Sequence, residues 1–127
     1  MKRVIGIGGV FFKSKDPETL RAWYKKHLGI DSEKWGATFQ WETDETKAQG
    51  KDFQTAWNPF PENTTYYAPS EKPFMINYIV ADLVALVEAF KTEGIELVGD
   101  LQDDGFGKFA WIMDPEGNKI ELWEPAG

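Results

Sequence analysis

The sequence predicts an α+β domain assembled from two βαβββ units in tandem. Three observations carry that prediction. Residues 9–13, Asp16, an amphipathic run and Gly29-Ile30 recur in kind as residues 77–80, Asp82, a second amphipathic run and Gly94-Ile95. Each amphipathic run is followed by β-branched and aromatic material sufficient for three strands. Between the copies, residues 58–73 carry Pro59, Pro61, Pro69 and Pro73, a spacing that opposes regular structure. One unit alone would leave the apolar face of its sheet in water, so the two are expected to pair. The expected layout is module one at about 1–57, a linker at about 58–73 and module two at about 74–127. These form one domain, since 127 residues suit a single core.

Residues 4–12 read as the first strand, with Gly6, Gly8 and Gly9 permitting close approach of another backbone or a ligand. Asp16-Pro17-Glu18 starts a helix: the aspartate caps free amides, proline suits the first turn, and glutamate complements the dipole. Leu20, Trp23, Tyr24 and Leu28 give that helix an apolar face, and Gly29 ends it. Residues 38–42 alternate as a half-buried strand, 44–52 read as a polar hairpin loop, and 52–57 as the returning strand. In the second unit, residues 74–80 form a strand. Asp82 caps a helix with Leu83, Leu86, Val87 and Phe90 on its apolar face, and Gly94 closes it. Residues 95–98 read as a short strand. Residues 108–113 and 119–123 read as two more, joined by Asp114-Pro115-Glu116-Gly117-Asn118 in a hairpin turn.

The 21 acidic and 14 basic residues leave a net charge of −7, and the lysines and arginines are scattered. Such a surface repels a polyanion, so nucleic acid is not an expected partner. The chain has no cysteine. That excludes disulfides, thiol catalysis and cysteine-ligated metal centres, and it suits a reducing cytoplasm. The apolar N-terminal run is short and glycine-rich, reading as a buried strand rather than a leader, and no membrane span is expected. With no nucleophile elbow and no phosphate loop, hydrolase and phosphate-binding roles find no support.

Three segments together point to a known superfamily. They are Asp16-Pro17-Glu18-Thr19-Leu20-Arg21-Ala22-Trp23-Tyr24 with His27-Leu28-Gly29-Ile30, then Asn77-Tyr78-Ile79-Val80-Ala81-Asp82-Leu83, and the closing Asp114-Pro115-Glu116-Gly117-Asn118-Lys119-Ile120-Glu121-Leu122-Trp123. Over nearly its whole length the chain resembles the glyoxalase / bleomycin-resistance / extradiol dioxygenase superfamily, also called vicinal oxygen chelate. The resemblance implies a curved mixed sheet of eight strands around a cup, frequent dimers and, in many members, a divalent metal. Its four metal positions fall on Gly8 or Gly9, near Gln54, on Met75 or Asn77, and on Glu121. Glycine offers no ligand and methionine a soft one. Divalent cations are thus left with one carboxylate and up to two amides. Glu121 is a tentative metal ligand in an incomplete set, and no cofactor is expected.

Glu121 is also the candidate catalytic residue, as a general base in the cup. The plainer alternative is a structural pair with Lys108 or Lys119. His27, the only histidine, belongs to the end of the first helix, away from the cup. Candidate ligand-binding residues are Trp41, Gln54, Trp57, Asn77, Phe109, Trp111 and Trp123, with Tyr66 and Tyr67 placed to fold over the cup mouth. Each aromatic singly fits a place in the core, while together they favour a flat or apolar ligand. A planar cation stacked on tryptophan and neutralised by Glu42 or Glu121 is one form of this. Asp103 and Asp104 lack calcium-loop spacing and read as a solvated turn. The expected function is binding of a small organic molecule in an aromatic cup, without the usual metal, by a homodimer. The alternatives are a lyase, isomerase or dioxygenase (divalent-metal-dependent, or metal-free on Glu121) and an antibiotic-sequestering protein.

Overall fold

The computed structural model describes residues 3–126. In order, the elements are β1 (Val4–Ser14), α1 (Pro17–Leu28), β2 (Ala37–Trp41), α2 (Asp44–Gln49), β3 (Phe53–Pro61), β4 (Phe74–Val80), α3 (Leu83–Glu93), β5 (Gln102–Asp104), β6 (Gly107–Met113) and β7 (Lys119–Pro125). The strands form one mixed sheet in the order β2-β3-β1-β4-β7-β6-β5. β1 pairs parallel with β3 and β4 parallel with β7, while the two first strands, β1 and β4, meet antiparallel at the centre. The halves are therefore related as the repeat predicted, each spreading outward from its first strand.

Local chemistry sets both long helices. Asp16 accepts from the Thr19 amide at 3.2 Å and Asp82 from the Ala85 amide at 3.1 Å. Gly29 and Gly94 close the helices at φ 70° and 74°, a left-handed conformation that favours glycine. α3 buries Leu83, Leu86 and Phe90 against Val80, Ala110 and Leu122 of the sheet, each large apolar side chain contributing roughly 1.5–3 kcal/mol. α1 buries no residue fully. Tyr24 packs on Trp57 at 4.9 Å, but Trp23 and Leu28, expected on its apolar face, stay exposed.

Two irregularities in β1 govern what lies on each face. Its register against β4 shifts between Val4 and Gly6 and again between Ile7 and Gly9. Val4, Ile7 and Val10 consequently stand opposite Val80, Tyr78 and Ile76, one face of β4. Gly6, Gly9 and Phe11 stand opposite Ile79, Asn77 and Met75, the other face. The second face carries two more clusters: Ile5, Phe53 and Ile79 with Trp41 and Trp123, and Tyr67, Met75 and Trp111 with Phe11, Phe60 and Phe109.

Four expectations are corrected. The sheet has seven strands, not eight. After α1 only an isolated bridge, Glu33 to Gly36, precedes β2, so the first unit supplies two further strands. Residues 95–98 are not a strand. Leu97 and Val98 pack into different clusters, and Gly99 at φ 78° turns the chain before β5. The expected hairpin loop at 44–52 contains α2, nucleated by a reciprocal cap between Thr43 and Thr46. β3 runs on through Pro59 to Pro61. Its pairing with β2 stops at Trp57, so both prolines lie where β3 is bonded on one side only. Among the described residues no helix is long and apolar enough to cross a membrane.

Candidate functional site

Register assembles the site. Trp111 on β6 stands directly opposite Glu121 on β7, Glu121 opposite Asn77 on β4, Asn77 opposite Gly9 on β1, and Gly9 opposite Ala56 on β3. Residues far apart in sequence thus form one row across five strands, on the face away from α3. Within it the Glu121 carboxylate is 3% exposed. Its Oε1 accepts from Asn77 Nδ2 at 2.6 Å, and its Oε2 accepts from Trp111 Nε1 at 2.9 Å and from the Tyr66 hydroxyl. A buried charge is tolerable only when its lone pairs are satisfied, and here three neutral donors satisfy them.

The floor needs the glycines of β1. A Cβ on Gly8 would come within 2.2 Å of Asn77 Oδ1, and one on Gly6 within 2.2 Å of the Trp41 ring. The close approach expected of these glycines is therefore made by side chains. Asn77 Oδ1 itself is buried without a hydrogen-bond partner, as is the Tyr67 hydroxyl. Aromatic rings form the walls. Trp111 stacks on Phe109 at 6.4 Å and Phe109 on Trp123 at 5.8 Å with an interplanar angle of 7°. Phe11 and Phe60 close the other side with Tyr67 and Met75.

The linker covers the mouth. Tyr66 lies edge-on to Trp111 at 6.3 Å and stacked on Phe60 at 6.0 Å, and its carbonyl accepts from Lys119 Nζ at 2.8 Å. That ammonium sits 5.5 Å from the Tyr66 ring and 5.8 Å from the Trp111 ring. Burial, then the charge of Glu121, pushes the Tyr66 hydroxyl far above the usual tyrosine range, so it stays a donor. Tyr67 is raised for the same two reasons. Burial draws Lys119 down, and the Glu121 charge partly opposes this.

Of the residues expected at the site, Glu121 and Asn77 form its floor, and Trp111, bonded to Glu121, forms its wall with Phe109 and Trp123. Trp41 lies farther along the same face, against Phe53 at 5.8 Å and beneath no hydrogen-bond partner for its indole nitrogen. Two placements are corrected. Trp57 does not wall the cup: it packs between Tyr24 of α1 and Phe12 on the opposite face. Gln54 stands opposite Gln40 of β2, two residues from the row, where β3 contributes Ala56. Tyr66 lies over the mouth as expected of the linker, whereas Lys119 and Lys108, the alternative pairs for Glu121, bond the Tyr66 carbonyl and Glu124 instead.

The four positions for a metal resolve to Gly9, Ala56, Asn77 and Glu121. That set offers one carboxylate, whose oxygens already accept three hydrogen bonds, and one amide. It does not fit a hard divalent cation, which wants several oxygens, nor a borderline one, which wants imidazole. Among the described residues no group of three or more His, Cys, Asp or Glu is placed to hold a metal ion.

Comparison with known proteins agrees with this architecture. A family model for a glyoxalase-like domain matches residues 9–123. No curated protein sequence matches the chain. Among solved structures, methylmalonyl-CoA epimerase from Streptomyces coelicolor in complex with 2-nitronate-propionyl-CoA superposes with a TM-score of 0.65 at 17% identity, covering 98% of this chain and 99% of that one. The Mycobacterium tuberculosis methylmalonyl-CoA epimerase gives 0.59 at 20%, covering 98% and 90%. An NAD-dependent benzaldehyde dehydrogenase from Legionella pneumophila gives 0.56 at 13%, covering 93% and 98%. These identities speak to the fold alone. The repeat, the sheet order and the matched family model together place this chain in the glyoxalase-like family of the vicinal-oxygen-chelate superfamily.

Proposed function

We propose that the protein binds a small organic molecule in the aromatic cup above the Asn77–Glu121–Trp111 row, without a catalytic metal. The observation that carries this reading is a buried carboxylate satisfied entirely by neutral donors and walled by stacked rings, with an exposed tyrosine as its outermost partner. Pockets that bind small molecules combine apolar walls with a few fixed polar groups, and this face has that make-up. Release of Tyr66 would free one lobe of Oε2 for a ligand donor while Asn77 and Trp111 hold the carboxylate in place. The wall of Trp111, Phe109 and Trp123 would take the ligand's flat face.

Two measurements test the two halves of the proposal. Elemental analysis of protein purified without chelator, then incubated with nickel, zinc, manganese or iron, is expected to find no stoichiometric metal. Metal that is retained and then lost in Glu121→Ala would overturn that half. A panel of aromatic fragments is expected to change intrinsic tryptophan fluorescence saturably, and a panel without hits would count against the cup.

The partners follow the same reading. We infer a homodimer, because the β1 residues Val4, Ile7 and Val10, at 37–40% exposure, floor an uncovered apolar strip on the helix-bearing face of the sheet. With a net charge of −7, nucleic acid is not a proposed partner. A cytoplasmic setting suits a chain without cysteine.

A further inference from the structure

We propose that Tyr66 is a built-in occupant of the ligand seat. The ligand that displaces its side chain is a flat aromatic molecule with a hydroxyl at one end. The inference rests on the cup being a small-molecule site and adds the ligand's chemical class.

Tyr66 meets the site at three points. Its hydroxyl donates to Glu121 Oε2, its ring lies against Phe60 and Trp111, and its carbonyl accepts from Lys119 Nζ at 2.8 Å. The donor and the ring, which belong to the side chain, therefore describe what the seat recognises. Tyr66 is also the movable part. It is 39% exposed, whereas Tyr67 is fully buried in the cluster with Met75 and Trp111, and Ser70 is buried as well. The linker is thus anchored beside Tyr66, and the side chain can turn outward by bond rotation while the segment stays in place.

Withdrawal of the Tyr66 side chain leaves a buried carboxylate oxygen short of one donor, while Lys119 keeps the Tyr66 backbone carbonyl as its acceptor. A polar group stranded in this way is costly, so the open seat favours a molecule that restores that donor. A cationic ligand is disfavoured, because Lys119 already holds a positive charge over the Tyr66 and Trp111 rings at the mouth. An intramolecular occupant also lowers apparent affinity by the fraction of time the seat is closed.

The probe is 3-(4-hydroxyphenyl)propanamide, which reproduces the tyrosine side chain and its carbonyl. Its controls are 3-phenylpropanamide and 3-(4-methoxyphenyl)propanamide. Calorimetric titration is made on the wild type, Tyr66→Ala and Tyr66→Phe. In Tyr66→Ala the hydroxyl probe is expected to bind about tenfold or more tighter than either control, the scale of one hydrogen bond to a charged group, and also tighter than it binds the wild type. Tyr66→Phe keeps the ring without its hydrogen bond. It is expected to bind the hydroxyl probe with intermediate affinity, and it decides the matter if Tyr66→Ala does not fold. Equal binding of all three probes by a folded variant would overturn the donor-selective seat while leaving an aromatic cup. Wild-type affinity equal to that of both variants would overturn Tyr66 as occupant. Failure of every probe to bind either folded variant would remove the cup itself.

Discussion

At the residue scale, Glu121 exchanges hydrogen bonds only with neutral donors, and this decides how its substitutions should behave. In Glu121→Gln the new oxygen can serve Trp111 and Tyr66, and the new amide can meet Asn77 Oδ1, now unpartnered, once the Asn77 amide rotates. Its thermal stability should stay within about 1 kcal/mol of wild type. Glu121→Leu removes every acceptor and strands the Trp111 and Asn77 donors, so it should cost about 2 kcal/mol or more relative to Gln by chemical denaturation. Equal stability of the two variants would contradict the hydrogen bonding described. Tyr66 adds a pH signature. Its hydroxyl is raised in the folded state, so above about pH 10 the unfolded chain releases a proton that the folded chain keeps. Stability is therefore lost as pH climbs past that point. Tyr66→Phe should flatten part of this alkaline decline, Tyr67 being common to both proteins. Glu121 and Trp111 were legible in the sequence because a tight hairpin of alternating strands fixes their pairing, and Asn77 because the repeat places it on the matching strand. Tyr66 was legible as a cover for the mouth but not as the partner of Glu121, since a linker has no period from which to read a neighbour.

At the scale of elements, the two misplaced site residues share one cause. The strand pair β2–β3 is joined by α2 rather than a simple turn, so the alternation of residues 38–42 does not propagate to the returning strand. The register of the returning strand is set instead by its pairing with β1, which puts Ala56 in the row and Trp57 on the opposite face. The helix was available locally, because Thr43 and Thr46 make a reciprocal cap spaced as caps are. Thr43→Ala should destabilise the protein by about 1 kcal/mol, measured as a shift in denaturation midpoint at unchanged slope. An unshifted midpoint would show α2 to be incidental. β1 makes a sharper prediction. Gly8→Ala drives a methyl group to 2.2 Å from Asn77 Oδ1, so it should cost about 1–3 kcal/mol and displace the Asn77 side chain. Its effect should reach the Glu121 site, read by loss of fragment binding, whereas Thr43→Ala should leave binding intact. The glycines of the first strand were recognisable as close-approach positions, but the partners they admit depend on the pairing of β1 with β4.

At the scale of the molecule, tandem architecture was the most legible feature, because a repeated cap, helix and glycine stop is a long pattern that chance does not produce twice. Strand number was less so: short edge segments such as residues 95–98 and 102–104 take their state from tertiary packing rather than from their own residues. The uncovered strip on β1 predicts association. Light scattering after size exclusion should give a dimer for the wild type, and Ile7→Lys, which puts a charge in the middle of that strip, should give a folded monomer. A wild-type monomer would remove the inference. If small organic molecules settle on the Asn77–Glu121–Trp111 row, the indole N–H of Trp111, bonded to Glu121, reports on it directly. The measurement is a nitrogen-15 NMR titration of the wild type with aromatic fragments. Binding fragments are expected to shift the Trp111 indole signal saturably and to leave that of the exposed Trp35 in place. Saturable binding with an unmoved Trp111 signal would contradict binding on the row.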